Sequence, residues 1–149
     1  MDSLPLERIV DLLDRPHQAV LSVSRTDKGP VAVPMSYVFD GTRFVMVTSP
    51  SSLHGRMMQR TGRATLTIQH ERCDGRSVFQ WYVVAEGPVT FTDIDPRPFI
   101  RSMLAKDRGE ANADEWSAGD PPDDARVAEL VPDRLSGYEF RDSLDDGRP

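Results

Sequence analysis

Apolar residues near the start of the chain recur at helical spacing. Leu6, Ile9, Val10 and Leu13 share one face, and that period predicts an amphipathic helix. Ser3-Leu4-Pro5 supplies a hydroxyl cap and a first-turn proline, and Arg15-Pro16 ends the run. From Ala19 the period changes to two. Residues 19–24 predict a strand, Asp27-Lys28-Gly29-Pro30 a hairpin turn, and 31–39 the returning strand. Pro34 has no N–H for a ladder, so the second strand bulges or lies at an edge there. Asp40-Gly41 signals another hairpin, with residues 43–48 as the third strand.

Ser49-Pro50-Ser51-Ser52 interrupts the alternation, and residues 53–60 predict a short helix closed by Thr61-Gly62. A fourth strand over 63–70, a polar loop over 71–76 and a long β run over 78–92, bent at Gly87-Pro88, follow. Asp95-Pro96 opens a further helix with Phe99, Ile100, Met103 and Leu104 on one face. Residues 107–124 read as a mobile loop, with Trp116 as the anchor of a lid, and strands over 127–131 and 135–140 close the domain. The expected fold is mainly β with peripheral helices: an antiparallel barrel, closed or nearly closed, over residues 1–141, with an acidic disordered tail over 142–149. The βαβα alternation of a Rossmann sheet is absent.

Composition narrows the partners. A chain of 149 residues suits one domain. Its single cysteine, Cys73, can close no intramolecular disulfide, which points to a reducing compartment. No apolar run reaches the roughly 18 residues of a membrane span, and Met1-Asp2-Ser3 begins no signal peptide. A cytoplasmic protein without membrane contact is expected. The net charge of −6 argues against a nucleic-acid partner. It is uneven: residues 1–90 carry 10 basic and 9 acidic side chains, and residues 91–149 carry 8 and 15. The upstream basic charge could serve a small anion.

The sequence has no G-x-S-x-G, G-x-x-x-x-G-K-[ST], G-x-G-x-x-G or H-E-x-x-H. His70 and Cys73 lie three apart without further ligands, so no metal site is expected. No side chain stands out as catalytic, and any reaction would rely on a bound cofactor. The most informative stretch runs from Thr48 to Met58. A strand ends in hydroxyls at Thr48, Ser49, Ser51 and Ser52 and passes directly into a helix with His54 and Arg56 in its first turns. Free N–H groups and the positive end of the helix dipole favour an anion there. A protonated His54 would strengthen it, and affinity would then weaken with rising pH. Trp81 suits a ring stack, an interface or plain core.

These segments together, in order and spacing, resemble the pyridoxamine 5′-phosphate oxidase-like, FMN-binding split-barrel family, in its flavin- or deazaflavin-dependent oxidoreductase branch. The resemblance covers about residues 5–141. It is carried by Asp40-Gly41 between strands, 53–58 followed by Arg63-Ala64, Val84-Ala85-Glu86-Gly87, and the segment from Val131 to Tyr138. It implies a six-stranded split barrel forming a homodimer with cofactor sites at the interface. The cofactor phosphate would lie at Thr48, Ser49, Ser51, Ser52, His54 and Arg56, and the tricycle along Val33, Pro34, Met35 and Ser36. The implied activity is hydride transfer between F-420 or FMN and an unsaturated small molecule. A non-catalytic flavin- or haem-binding dimer and a cofactor-free structural dimer are the alternatives. The family commonly carries a K-x-R-N-L pattern where this chain has His54-Gly55-Arg56-Met57-Met58. The short acidic C-terminus gives no reason to expect vitamin B6 oxidation.

Overall fold

The computed structural model describes residues 2–144. Along them run β1 (Asp2–Ser3), α1 (Leu6–Leu13), β2 (Ala19–Arg25), β3 (Lys28–Met35), β4 (Val38–Phe39), β5 (Phe44–Thr48), α2 (Leu53–Thr61), β6 (Arg63–Cys73), β7 (Ser77–Thr92), α3 (Arg97–Arg108), α4 (Ala113–Trp116), β8 (Arg126–Leu130) and β9 (Arg134–Ser143). Six strands form the body of a split barrel in the order β3-β2-β6-β7-β8-β5, and every pairing is antiparallel. The two-residue β4 extends this order beyond β5, while β9 lies along β7 and holds β1.

The long β7 joins the two halves. Its residues Ser77 to Glu86 pair with β9, and Val89 to Thr92 pair with β8. Gly87 sits at the changeover, where the β8–β9 connection crosses so closely that a Cβ would lie 2.2 Å from the Val131 carbonyl oxygen. The strand continues through the expected bend because backbone bonds tie the crossing down: Val131 N–H to Pro88 O at 3.2 Å and Asp133 N–H to Glu86 O at 3.0 Å. Alternate residues face one core, including Leu21 and Val23 of β2, Leu66 and Ile68 of β6, and Val83 and Ala85 of β7. Leu12 and Leu13 of α1 and Met58 of α2 cover it.

Local chemistry explains where the elements depart from the sequence pattern. The first hairpin turns at Thr26-Asp27, because Asp27 accepts a left-handed φ of 56° and leaves Gly29 and Pro30 within β3. Pro34 is tolerated because β3 ends the strand order and pairs only with β2. The polar loop shrinks to residues 74–76. Asp74 accepts from the Arg76 and Ser77 N–H groups and from the Ser77 hydroxyl, which lowers its carboxyl pKa to about 2.

The expected irregular loop over 107–124 is helical over its first part and irregular from Ser117 on. α3 runs to Arg108, a 3-10 turn spans Glu110–Asn112, and α4 follows. Arg101 binds Asp114 at 2.6 Å and Glu110 at 2.8 Å, and the Arg108 guanidinium lies 4.5 Å from the centre of the Trp116 ring. Trp116 thus stacks with a neighbouring arginine and stays more than half exposed. Two residues expected in the tail belong to β9, which pairs Asp142 with Val78 and Ser143 with Ser77. Residues 145–149 lie outside the described residues.

Candidate functional site

The site is built at the junction of β5 and α2. Ser52 caps the helix: its Oγ accepts from the Gly55 N–H at 3.0 Å and donates to the Ser49 carbonyl at 2.7 Å. The turn is pressed against the helix, and only glycine fits at position 55, where a Cβ would lie 2.1 Å from Ser49 O. The first-turn N–H groups of Leu53 and His54 have no intrahelical acceptor, as at any helix start. Arg56 is exposed on this turn and pairs with no carboxylate among the described residues.

Thr48 and His54 meet across the junction, with Thr48 Oγ1 and His54 Nε2 2.7 Å apart. Burial lowers the His54 pKa, so the imidazole is held in its neutral, hydrogen-bonding form. Ser49 Oγ donates to Asp124 Oδ2 at 2.6 Å, Ser51 Oγ lies 3.5 Å from the same oxygen, and the two serine oxygens are 2.8 Å apart. The bond from Ser49 is the main reason the Asp124 carboxyl sits below its ordinary pKa.

Beside this junction, between β5 and α3, a cavity of about 330 Å³ opens to solvent. Val47, Ile100, Met103, Leu104, Pro122 and Ala125 form its apolar walls, and Ser36, Thr48, Ser49 and Asp124 its polar ones. The structure therefore brings Ser36, Thr48 and Ser49 to one cavity, with Ser51, Ser52, His54 and Arg56 on the adjoining turn and helix. Val33 and Pro34 lie on the edge strand β3 and Met35 is buried in the core; none of them lines this cavity. Trp81 is fully buried in the core, with His17 at its edge, ring centres 5.1 Å apart, and it too is remote from this lining. The apolar face of α3 was visible in the sequence, but not the strand it would cover. Asp124 stood in an acidic stretch with nothing to distinguish it. Among the described residues no cluster of three or more metal-binding side chains occurs, and no helix is long and apolar enough to cross a membrane.

The first-turn N–H groups of α2 and Arg56 are donors suited to a phosphate, the Ser49 hydroxyl beside them being engaged by Asp124, and the adjoining apolar wall fits one face of a planar ring. Burial also lowers the pKa of His17, with His70, Lys106 and Arg15 adding repulsion. In the unfolded chain both histidines would titrate near 6.5, so the unfolded state binds more protons between that value and the depressed folded ones. Stability is accordingly expected to fall as pH drops from about 6.5 through the folded pKa values. Melting temperatures from pH 7.5 to pH 5 check this, and His17→Gln should flatten the slope.

A family model described as pyridoxamine 5′-phosphate oxidase matches residues 5–139. No protein of curated function matches the sequence. Among solved structures, an FAD-binding protein from Mesorhizobium loti is 16% identical, with 93% of this chain and 97% of that one covered and a TM-score of 0.64. An FAD- and haem-binding protein from Mycobacterium smegmatis is 19% identical, with 96% and 72% covered and a TM-score of 0.63. A structure named as an F420 reductase is 19% identical, with 84% and 93% covered and a TM-score of 0.56. At these identities the likeness is one of fold.

Proposed function

Because the chain belongs to the pyridoxamine 5′-phosphate oxidase family, we propose that it is a flavin- or deazaflavin-dependent oxidoreductase acting on an unsaturated small molecule. The observation that carries this reading is the cavity whose apolar wall meets a helix N-terminus and a row of hydroxyls. The names of the structural neighbours, which include FAD-binding proteins and an F420 reductase, support the choice of FMN or F-420.

When bound, a reduced flavin or deazaflavin supplies the hydride. This chain's residues bind, orient and shield. Ser49, Ser51, the α2 N–H groups and Arg56 would hold the phosphate, and the Thr48–His54 pair fixes the side chains beside it. Ile100, Met103 and Leu104 would exclude water from one face of the ring, where fixed geometry favours transfer. A homodimer would cover the other face. Exposed apolar side chains such as Val20, Leu53 and Val131 supply material for such an interface, and sedimentation as a monomer at micromolar concentration would contradict it.

Equilibrium titration with FMN, F-420 and haem tests the reading. Uptake of FMN or F-420 is expected, with Arg56→Ala weakening the phosphate-bearing ligand by roughly tenfold, the scale of one charge-assisted contact. Uptake of haem alone would instead favour a non-catalytic binding dimer, and uptake of none of the three a structural one.

A further inference from the structure

We propose that Asp124 sets the charge specificity of this site: its carboxylate occupies the serine cradle at the β5–α2 junction, and an anionic ligand group enters only by displacing it. The inference rests on the reading that this junction receives the cofactor phosphate.

The hydrogen-bond chain there ends on the carboxylate. The Ser51 N–H points to Ser49 Oγ at 3.2 Å, and Ser49 Oγ in turn donates to Asp124 Oδ2 at 2.6 Å. A serine hydroxyl has a single proton to donate. While Asp124 holds the one on Ser49, an arriving phosphate oxygen meets a lone pair and a like charge. No cation makes a direct ion pair with Asp124 among the described residues, although the Arg126 charge acts on it from nearby. Its side-chain hydrogen-bond partners are the two serine hydroxyls, and the Arg126 guanidinium donates instead to the backbone carbonyls of Asp123 and Ala125. The same carboxylate lines the apolar cavity, so it lies where the ring-bearing part of a ligand would join its anionic part.

Asp124 belongs to the irregular segment between α4 and β8, just after Pro121-Pro122, with a turn bond from Ala125 N–H to Pro122 O at 2.9 Å. This segment is tethered to the cradle from outside the barrel strands, so the carboxylate can leave without breaking a ladder. An uncharged hydroxylated tail could keep Asp124 in place and donate to it. A phosphate dianion could not. The chain should therefore discriminate poorly in favour of FMN over riboflavin, and removing the charge should restore the preference.

Titration of FMN and riboflavin into the full chain, Asp124→Asn and Asp123→Asn tests this. Asp123→Asn removes the same charge one residue away from the cradle, and melting curves confirm that the variants fold. The expected result is that Asp124→Asn binds FMN about tenfold tighter, one charge-assisted contact on the affinity scale, with riboflavin affinity within about twofold and Asp123→Asn like the wild type. Equal FMN affinity in the wild type and Asp124→Asn would overturn the inference and leave the oxidoreductase reading standing, as would an equal gain in Asp123→Asn. Binding of neither flavin to any of the three proteins would overturn the inference, and the oxidoreductase reading would fall with it only if F-420 were not taken up either.

Discussion

Trp81→Ala is expected to lower the free energy of unfolding by about 3–5 kcal/mol, the usual range for deleting a large buried aromatic. Trp81 stands in the middle of β7, between His70 of β6 and Glu139 of β9, and no part of it reaches solvent. Truncation would empty the core between the sheet and the segment after α1 that carries His17. Against a typical total stability of about 5–15 kcal/mol, such a loss is a large share of the whole. Trp81→Phe should cost less. It keeps a ring in place and removes an indole N–H that has no hydrogen-bond partner, a buried donor that is itself unfavourable. Urea midpoints of the three proteins check the order wild type, Phe, Ala. A ring-stacking or interface role for Trp81 would leave the midpoint of the alanine variant near that of the wild type.

The second large effect is expected at Gly55. Alanine in a helix is ordinarily better than glycine by up to about 1 kcal/mol, so propensity alone forecasts a gain. Here the added Cβ would meet Ser49 O at 2.1 Å and Pro50 Cα at 2.9 Å, both backbone atoms that no side-chain rotation can move aside. Overpacking of this kind typically costs about 1–3 kcal/mol, and the clash prevails. The turn that presents Ser49 and Ser51 must shift, so cofactor affinity should fall together with stability. Gly87→Ala is the matched control. Its Cβ would meet Val131 O at 2.2 Å, which should destabilise the β8–β9 crossing while leaving the β5–α2 turn intact. Thermal melts and FMN titrations on both variants separate the two losses. Gly55→Ala with unchanged melting and binding would mean that the turn is not held where the structure places it.

What the sequence revealed was local. The spacing of Leu6, Ile9, Val10 and Leu13 marks α1, and Ser52 followed by Gly62 marks both ends of α2. Pro34 announced a bulge or an edge strand, and β3 is an edge, paired only with β2. The helical turns over 110–116 were missed because contacts at Arg101 and the stacking of Arg108 on Trp116 hold them, neither of which leaves a hydrophobic period, while 117–124 is irregular as expected. Half of the candidate site was legible for the same reason. Thr48, Ser49, Ser51 and Ser52 announce a strand passing into a capped helix. The wall opposite depends on α3 lying over β5, a contact across some fifty residues that no local pattern encodes. The lowered pKa of His54 was equally hidden, since burial causes it and burial is not read from the residue type.

The oxidoreductase reading meets its most direct test in anaerobic stopped-flow mixing of the protein, loaded with reduced FMN or F-420, against a panel of unsaturated small molecules. The result expected is reoxidation of the bound cofactor by at least one of them, faster than that of the free cofactor at equal concentration and slowed in Gly55→Ala. Reoxidation no faster than in free solution, across the panel and for both cofactors, would contradict it.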